Sequence, residues 1–108
     1  MALVVVDAEN VRRSLWPNLT REDLLRRARA WARREGQDLV VVFDGTPPET
    51  APDVTGAAHA DDAIVELVEK AAGAVWLVTS DRGLRERVGG RAQRVTGGGA
   101  FVRELLEP

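Results

Sequence analysis

Three aspartates each stand directly after a run of apolar, largely β-branched residues. Leu3-Val4-Val5-Val6 leads into Asp7, Leu39-Val40-Val41-Val42-Phe43 into Asp44, and Val75-Trp76-Leu77-Val78-Thr79-Ser80 into Asp81. One Asp in such a place is ordinary, because Asp favours strand ends and helix N-caps. With eight Asp in 108 residues, three in succession by turn preference alone is roughly a 1-in-100 event. A further pair, Asp61-Asp62, opens an amphipathic stretch, where acids also complement a helix dipole. Asp62 therefore reads equally as a cap or as a member of the acid group.

Four or five carboxylates at one place cannot all ionise unless something offsets their repulsion. Either their pKa values rise or a cation sits among them. An oxygen-only donor set, with no cysteine and a single histidine, favours a hard ion, Mg²⁺ or Mn²⁺. Such an ion, held by a few carboxylates and several waters, suits phosphate chemistry. The sequence leaves open whether one ion or two would bind.

The elements that must position these acids follow from hydrophobic periodicity. Strand-length apolar runs alternate with amphipathic stretches, the pattern of βαβ units and a mostly parallel sheet. Strands are expected at Leu3–Val6, Leu39–Phe43, Val75–Val78 and Ala92–Val95. Helices are expected from about Arg21 to Glu35, Asp61 to Ala72, Arg82 to Val88 and Ala100 to Leu106. On the first helix Leu24, Leu25, Ala28, Trp31 and Ala32 share one face, arginines cover the rest, and Gly36 closes it. On the second, Ile64, Val65, Val68 and Ala71 or Ala72 form the inward face. Gly45 to Ala60 shows no periodicity, and loops that long in compact domains are usually functional. The expected architecture is a three-layer α/β/α sandwich on a mostly parallel sheet of four or five strands, as one domain over residues 1–108. Parallel strands point the same way, so Asp7, Asp44 and Asp81 converge at their C-terminal ends, where open α/β folds bind ligands.

Composition bounds the chemistry further. Hydrophobic residues make up 44% and charged residues 30%, which is ordinary globular usage. The absence of cysteine excludes disulfides, thiolate zinc sites and cysteine nucleophiles. No apolar run approaches the ~20 residues needed to span a membrane, so no membrane partner is expected. Met1-Ala2 lead straight into the first strand with no signal sequence, and the expected compartment is the cytoplasm. The net charge of −2, from fifteen basic and seventeen acidic residues, neither proposes nor excludes a nucleic acid.

Several polar residues fall near the expected acid edge. Arg12 and Arg13 follow the first aspartate and Arg82 follows Asp81; such arginines could hold phosphates. Arg85, Arg87, Arg91 and Arg94 continue this positive stretch. Ser80 and Thr79 read as phosphate or metal-water contacts, or as caps of the next helix. Gly97-Gly98-Gly99 lacks a Walker pattern and reads as a plain turn. His59 precedes the acidic pair and reads as an exposed loop residue. Trp16, followed by Pro17, reads equally as a base-stacking platform or as a plug over the following helix.

Taken together, Asp7-Ala8-Glu9-Asn10, Phe43-Asp44-Gly45, Ala60-Asp61-Asp62-x-Ile64 and Thr79-Ser80-Asp81 resemble the NYN branch of the PIN-like nucleases, nearest to the bacterial YacP-like group. The resemblance runs from Leu3 to about Phe101. The Gly-Tyr common between Asp and Asn of the first motif is Ala8-Glu9 here, which removes an aromatic. The resemblance implies a PIN-like fold and a metal-dependent ribonuclease. It makes Asp7, Asp44, Asp61 and Asp81 metal-binding, catalytic acids, with Asp62 adjacent in support. It makes Asn10 a catalytic or substrate-binding partner of Asp7, at the metal or at an RNA phosphate. Arg12, Ser80 and Arg82 are then candidates for substrate contact.

The function expected is endoribonucleolytic cleavage of RNA that is single-stranded or locally unpaired. The alternative is an RNA-binding or ribosome-associated module whose cleavage is absent or needs a recruiting protein. A homo-oligomer is compatible with either. A two-component receiver domain also gathers acids at a parallel edge. It needs adjacent acids at the first strand and a late lysine, whereas here Asp7 and Glu9 are separated and Lys70 lies mid-helix.

Overall fold

Val, Leu and Phe occupy nearly every position of the central strands because both faces of those strands are covered. The computed structural model describes residues 1–107. Its strands are β1 (Leu3–Asp7), β2 (Asp38–Asp44), β3 (Val54–Ala57), β4 (Val75–Val78) and β5 (Arg94–Thr96). They form one sheet in the order β3-β2-β1-β4-β5, and every neighbouring pair is parallel. The helices are α1 (Ala8–Arg12), α2 (Arg21–Glu35), α3 (Ala60–Lys70), α4 (Arg82–Val88) and α5 (Gly98–Leu106).

Alternation along each strand sends side chains into two cores. Val4, Val6, Val41, Phe43 and Val78 pack with α1, α2 and α5 on one face. Val5, Val40, Val42, Val75 and Leu77 pack with α3 and α4 on the other. The result is the three-layer sandwich that the periodicity predicts. In the first core Trp31 of α2 meets Phe101 of α5 edge to face, with centroids 5.0 Å apart. The α2 ends are set locally: Thr20 Oγ1 accepts from Asp23 N at 3.0 Å, and Gly36 adopts the left-handed φ of 69° that its lack of a Cβ permits.

The sheet departs from the expectation in identifiable places. It has five strands, because Val54–Ala57 is a strand inside the stretch read as an unstructured loop. Gly56-Ala57 carry little β-propensity and leave Val54-Thr55 too short a run to stand out; the strand's place comes from the register Val41↔Val54 to Asp44↔Ala57 against β2. Arg29 of α2 fixes the segment before it, donating to Asp53 Oδ1 and Oδ2 at 2.7 Å each and to Glu49 Oε1 at 2.8 Å. The last strand starts at Arg94 rather than Ala92, and as a short edge strand it leaves Val95 41% exposed. A one-turn helix, α1, begins directly after Asp7 and was not expected. Helix α3 ends at Lys70, so Ala71 and Ala72 lie beyond it, and Val65 is only half-buried. Gly98 and Gly99, expected in a turn, form the first turn of α5. No helix among the described residues is long and apolar enough to cross a membrane.

Candidate active site

Strand order, not chain direction, reverses between β1 and β4: β2 and β3 extend the sheet one way from β1, and β5 extends it the other way from β4. That switch point is the crevice where such sheets bind ligands. Asp7 ends β1 there and is only 5% exposed. The pairing Val6↔Val78 puts the next residues, Asp7 and Thr79, level with each other. The fully buried Thr79 hydroxyl donates to Asp7 Oδ2 at 2.8 Å, and Thr79 Oγ1 accepts from Asp81 N at 3.1 Å. Burial pushes the Asp7 pKa up to about 6. The Thr79 bond opposes that rise, and the charges of Asp61, Asp44 and Asp81 add to it.

Three further acids surround this one from separate elements. Asp44 ends β2 and accepts from Ala60 N at 3.0 Å, so it caps α3 from across the crevice. That bond aims the first turn of α3 at the sheet edge and brings Asp61 there. The Asp61 carboxyl is raised above its ordinary value, first by desolvation and then by repulsion from Asp81 and Asp44. Asp81 is the N-cap of α4, accepting from Leu84 N at 3.1 Å. Asp62 turns the other way: Arg87 Nη2 donates to its Oδ1 at 2.8 Å on the outer rim. A hollow of about 330 Å³ lies against Asp44, His59, Asp61, Asp62 and Arg87.

Convergence on one crevice without an ion pair separates these acids from the rest. In a chain with fourteen arginines, Glu9, Asp23, Glu49, Asp53, Asp62 and Glu66 all hold ion pairs. Among the described residues no basic side chain pairs with Asp7, Asp44, Asp61 or Asp81. A mutually repelling, all-oxygen carboxylate set that holds no ion pair, with only the Arg87 charge opposing the repulsion at Asp61, fits a hard divalent ion. No three Asp, Glu or His side chains among the described residues form a ready-made metal-binding group. Mg²⁺ does not require one, since it is commonly held through one or two carboxylates and several waters.

Beside the acids lies a second group built on α1. Asn10 Oδ1 accepts from Ser80 N at 2.8 Å, and Ser80 Oγ accepts from Gly98 N at 2.8 Å. Ser80 thus caps α5, while the cap of the helix that follows it in sequence is Asp81. Gly98 fits closely here: a Cβ would displace Ser14 Oγ and lie 3.2 Å from Asn10 Oδ1. An open groove of about 540 Å³ runs along Glu9, Asn10, Arg13, Ser14, Ser80 and Gly99.

The arginines sort differently from the sequence expectation. Arg12 is not free for a phosphate: it donates from Nε to Glu9 and from Nη1 to the Leu19 carbonyl. Arg13 and Arg21 converge on the same Glu9, at 3.1 and 3.5 Å. Burial opposes ionisation of Glu9, but the Arg12 hydrogen bond and the three guanidinium charges hold its carboxyl below the ordinary value. Arg82 is exposed and makes no ion pair among the described residues. Arg85 donates from Nε and Nη2 to the Thr79 carbonyl at 3.0 and 2.8 Å, fixing the end of β4. Arg94 lies over the Trp76 ring, 4.7 Å from its centroid, at the start of β5 and so away from the acid edge.

Sequence reasoning did not single out Arg21. It stacks over Phe43 at 4.9 Å and donates from Nη2 to the Thr46 carbonyl at 2.6 Å, tying α2 to the loop after Asp44. It reads as one more arginine on a helix surface until β2 is placed beside α2. The bond from Thr79 to Asp7 is similarly invisible until β4 is known to neighbour β1.

No protein-family model matches this sequence, and no curated protein matches it. Among solved structures the chain is similar to Rae1 (YacP) from Bacillus subtilis, seen in the crystal structure of a single-substitution variant. The TM-score is 0.78 at 22% sequence identity, over 97% of this chain and 75% of that one. This likeness is one of fold: a three-layer α/β/α architecture on a parallel sheet.

Proposed function

We propose that this protein is a metal-dependent endoribonuclease that hydrolyses phosphodiester bonds in unpaired RNA at the Asp7, Asp44, Asp61 and Asp81 cluster. The observation that carries this reading is the convergence of unpaired carboxylates. Four acids from four segments meet at the switch point, repel one another and hold no ion pair. A carboxylate cluster left uncompensated costs stability, and binding a cation is the function that would offset that cost. The family resemblance of the four motifs supplies the substrate class, and the likeness of fold agrees with it.

In this reading Asp7, Asp44, Asp61 and Asp81 hold one or two Mg²⁺ or Mn²⁺ ions, with Asp62 at the rim. Bound there, a divalent ion would supply an activated water and charge stabilisation at the phosphate. Thr79 keeps Asp7 oriented and eases its ionisation. Asn10, held through Oδ1 by Ser80, has its amide NH₂ left to donate to a phosphate oxygen. Arg82 and Arg13 are the arginines positioned to meet flanking phosphates.

The test is gel-resolved cleavage of a mixed-sequence RNA in Mn²⁺, Mg²⁺ or EDTA, with wild type and Asp44→Asn side by side. Metal-dependent products from wild type alone support the reading. A folded wild type that yields none in any metal overturns it in favour of a binding module recruited to RNA or to a ribosome.

A further inference from the structure

One aromatic side chain stands apart from the cores. Trp16 is 89% exposed, whereas Trp31, Phe43 and Phe101 are buried at 4%, 0% and 1%. Its loop is nevertheless anchored on both sides. Ser14 N donates to Val11 O at 3.1 Å and Ser14 Oγ to Asn10 O at 2.7 Å. Leu19 N donates to Arg12 O at 3.0 Å, and Arg12 Nη1 returns a bond to Leu19 O at 3.3 Å. Leu15 and Leu19 pack against the core from either side of the indole. The loop packs its two half-buried leucines against the core and holds the larger indole in water. This arrangement removes the reading of Trp16 as a plug over α2.

Its surroundings indicate the occupant. Arg13, Pro17 and Asn18 are exposed near it in the chain, and no other large hydrophobic of this loop is exposed, so the indole is a lone aromatic and lacks the apolar patch that centres a protein interface. The groove along Asn10, Arg13 and Ser14 ends two residues before it in the chain. Three guanidinium groups share the single Glu9 carboxylate there, which leaves a surplus of positive charge. An exposed aromatic face beside a positive, hydrogen-bonding groove suits a base and its phosphate backbone. Five helical residues and three loop residues separate Asp7 from Trp16, so their Cα atoms lie at most about 20 Å apart.

We infer that Trp16 is a stacking platform for an unpaired nucleobase flanking the site of cleavage, with the groove between α1 and α5 carrying the connecting sugar-phosphate past Arg13. This rests on RNA being the ligand, as proposed above, and adds how unpaired substrate is selected and on which side of the acid cluster it lies.

Anisotropy of a labelled short single-stranded RNA, titrated in EDTA so that cleavage does not intervene, tests it. Trp16→Ala is expected to weaken binding about tenfold, and Trp16→Phe to restore most of the loss. With an RNA abasic throughout, wild type and Trp16→Ala should bind alike. Arg13→Ala should lower the slope of log affinity against log salt by about one. Wild-type binding of intact RNA that Trp16→Ala leaves unchanged, or an equal loss on intact and abasic RNA, overturns the stacking role alone. A wild type that neither binds nor cleaves RNA overturns the proposed function as well.

Discussion

Thr79 donates its hydroxyl proton to Asp7 Oδ2 at 2.8 Å, across the seam where β4 lies beside β1. Both residues are buried, and the same hydroxyl oxygen accepts from the backbone of Asp81. One side chain thus couples two of the four acids and favours the ionised form of the more buried one.

Thr79→Val removes that donor while keeping the shape. A buried carboxylate left without its partner costs about 1–3 kcal/mol. Because the bond lowers the Asp7 pKa, its loss should move the acidic limb of the pH–activity profile to higher pH and reduce cleavage at pH 7. Thr79→Ser should restore both. Profiles for the three proteins, measured with saturating Mn²⁺, decide this; an unmoved limb in Thr79→Val would show that the bond does not tune Asp7.

Asp7 also makes fold stability depend on pH. It binds its proton more tightly in the fold, with a pKa of about 6, than in the unfolded chain, whose value is 3.8. Its raised pKa therefore costs nothing below about pH 4, and stability falls as pH rises through about 6. Above that the ionised group costs about 3 kcal/mol. Asp7→Asn should remove this slope and, without metal at pH 7.5, raise the melting temperature on the order of 10 °C. It should also abolish cleavage. Thermal melts from pH 4 to 8 in EDTA check the first expectation, and a variant melting no higher than wild type at pH 7.5 would contradict it.

Divalent ions should reverse that cost. An ion that binds only the folded state stabilises it by about 2.7 kcal/mol at a hundredfold excess over its dissociation constant. Mg²⁺ or Mn²⁺ should therefore raise the melting temperature at pH 7.5 and lose that effect below about pH 6, as protons compete for Asp7. The double variant Asp44→Asn/Asp61→Asn should show no shift. A wild type indifferent to both ions at pH 7.5 would remove the metal from the proposed chemistry.

The clamp at the far end of the sheet gives a contrasting expectation. Arg29 holds Asp53 through two bonds of 2.7 Å, with both side chains partly exposed. Asp53→Asn should cost only about 1 kcal/mol, since solvent screens the pair. It should speed amide exchange in Val54–Ala57 while leaving the rate of RNA cleavage within about twofold. Loss of cleavage in a folded Asp53→Asn protein would mean that β3 positions the acids more tightly than its contacts suggest.

The sequence by itself determined the layers and the acid edge. Valine-rich runs covered on both faces could only be buried parallel strands. Each of Asp7, Asp44 and Asp81 ends such a run, so their convergence required only that the strands be parallel, whatever their order. The α2 boundaries were equally legible, because Thr20 and Gly36 act through local backbone geometry.

Tertiary structure alone decided what those acids touch. Strand order placed β4 beside β1 and so joined Thr79 to Asp7, residues 72 positions apart in sequence. Only Val54 and Thr55 locally favour a strand in Val54–Ala57; it pairs because β2 offers an open edge and Arg29 pins the preceding loop. Arg12 and Arg13 are neighbours of one residue type, yet Arg12 is engaged by Glu9 and Leu19 while Arg13 remains mostly exposed. Asp61 and Asp62 are likewise adjacent and identical, and the turn of α3 sends one toward the crevice and the other to Arg87. Local pattern fixes which residues lie near a strand end or a helix start. Partners distant in sequence fix which of them remain uncompensated, and so available for chemistry.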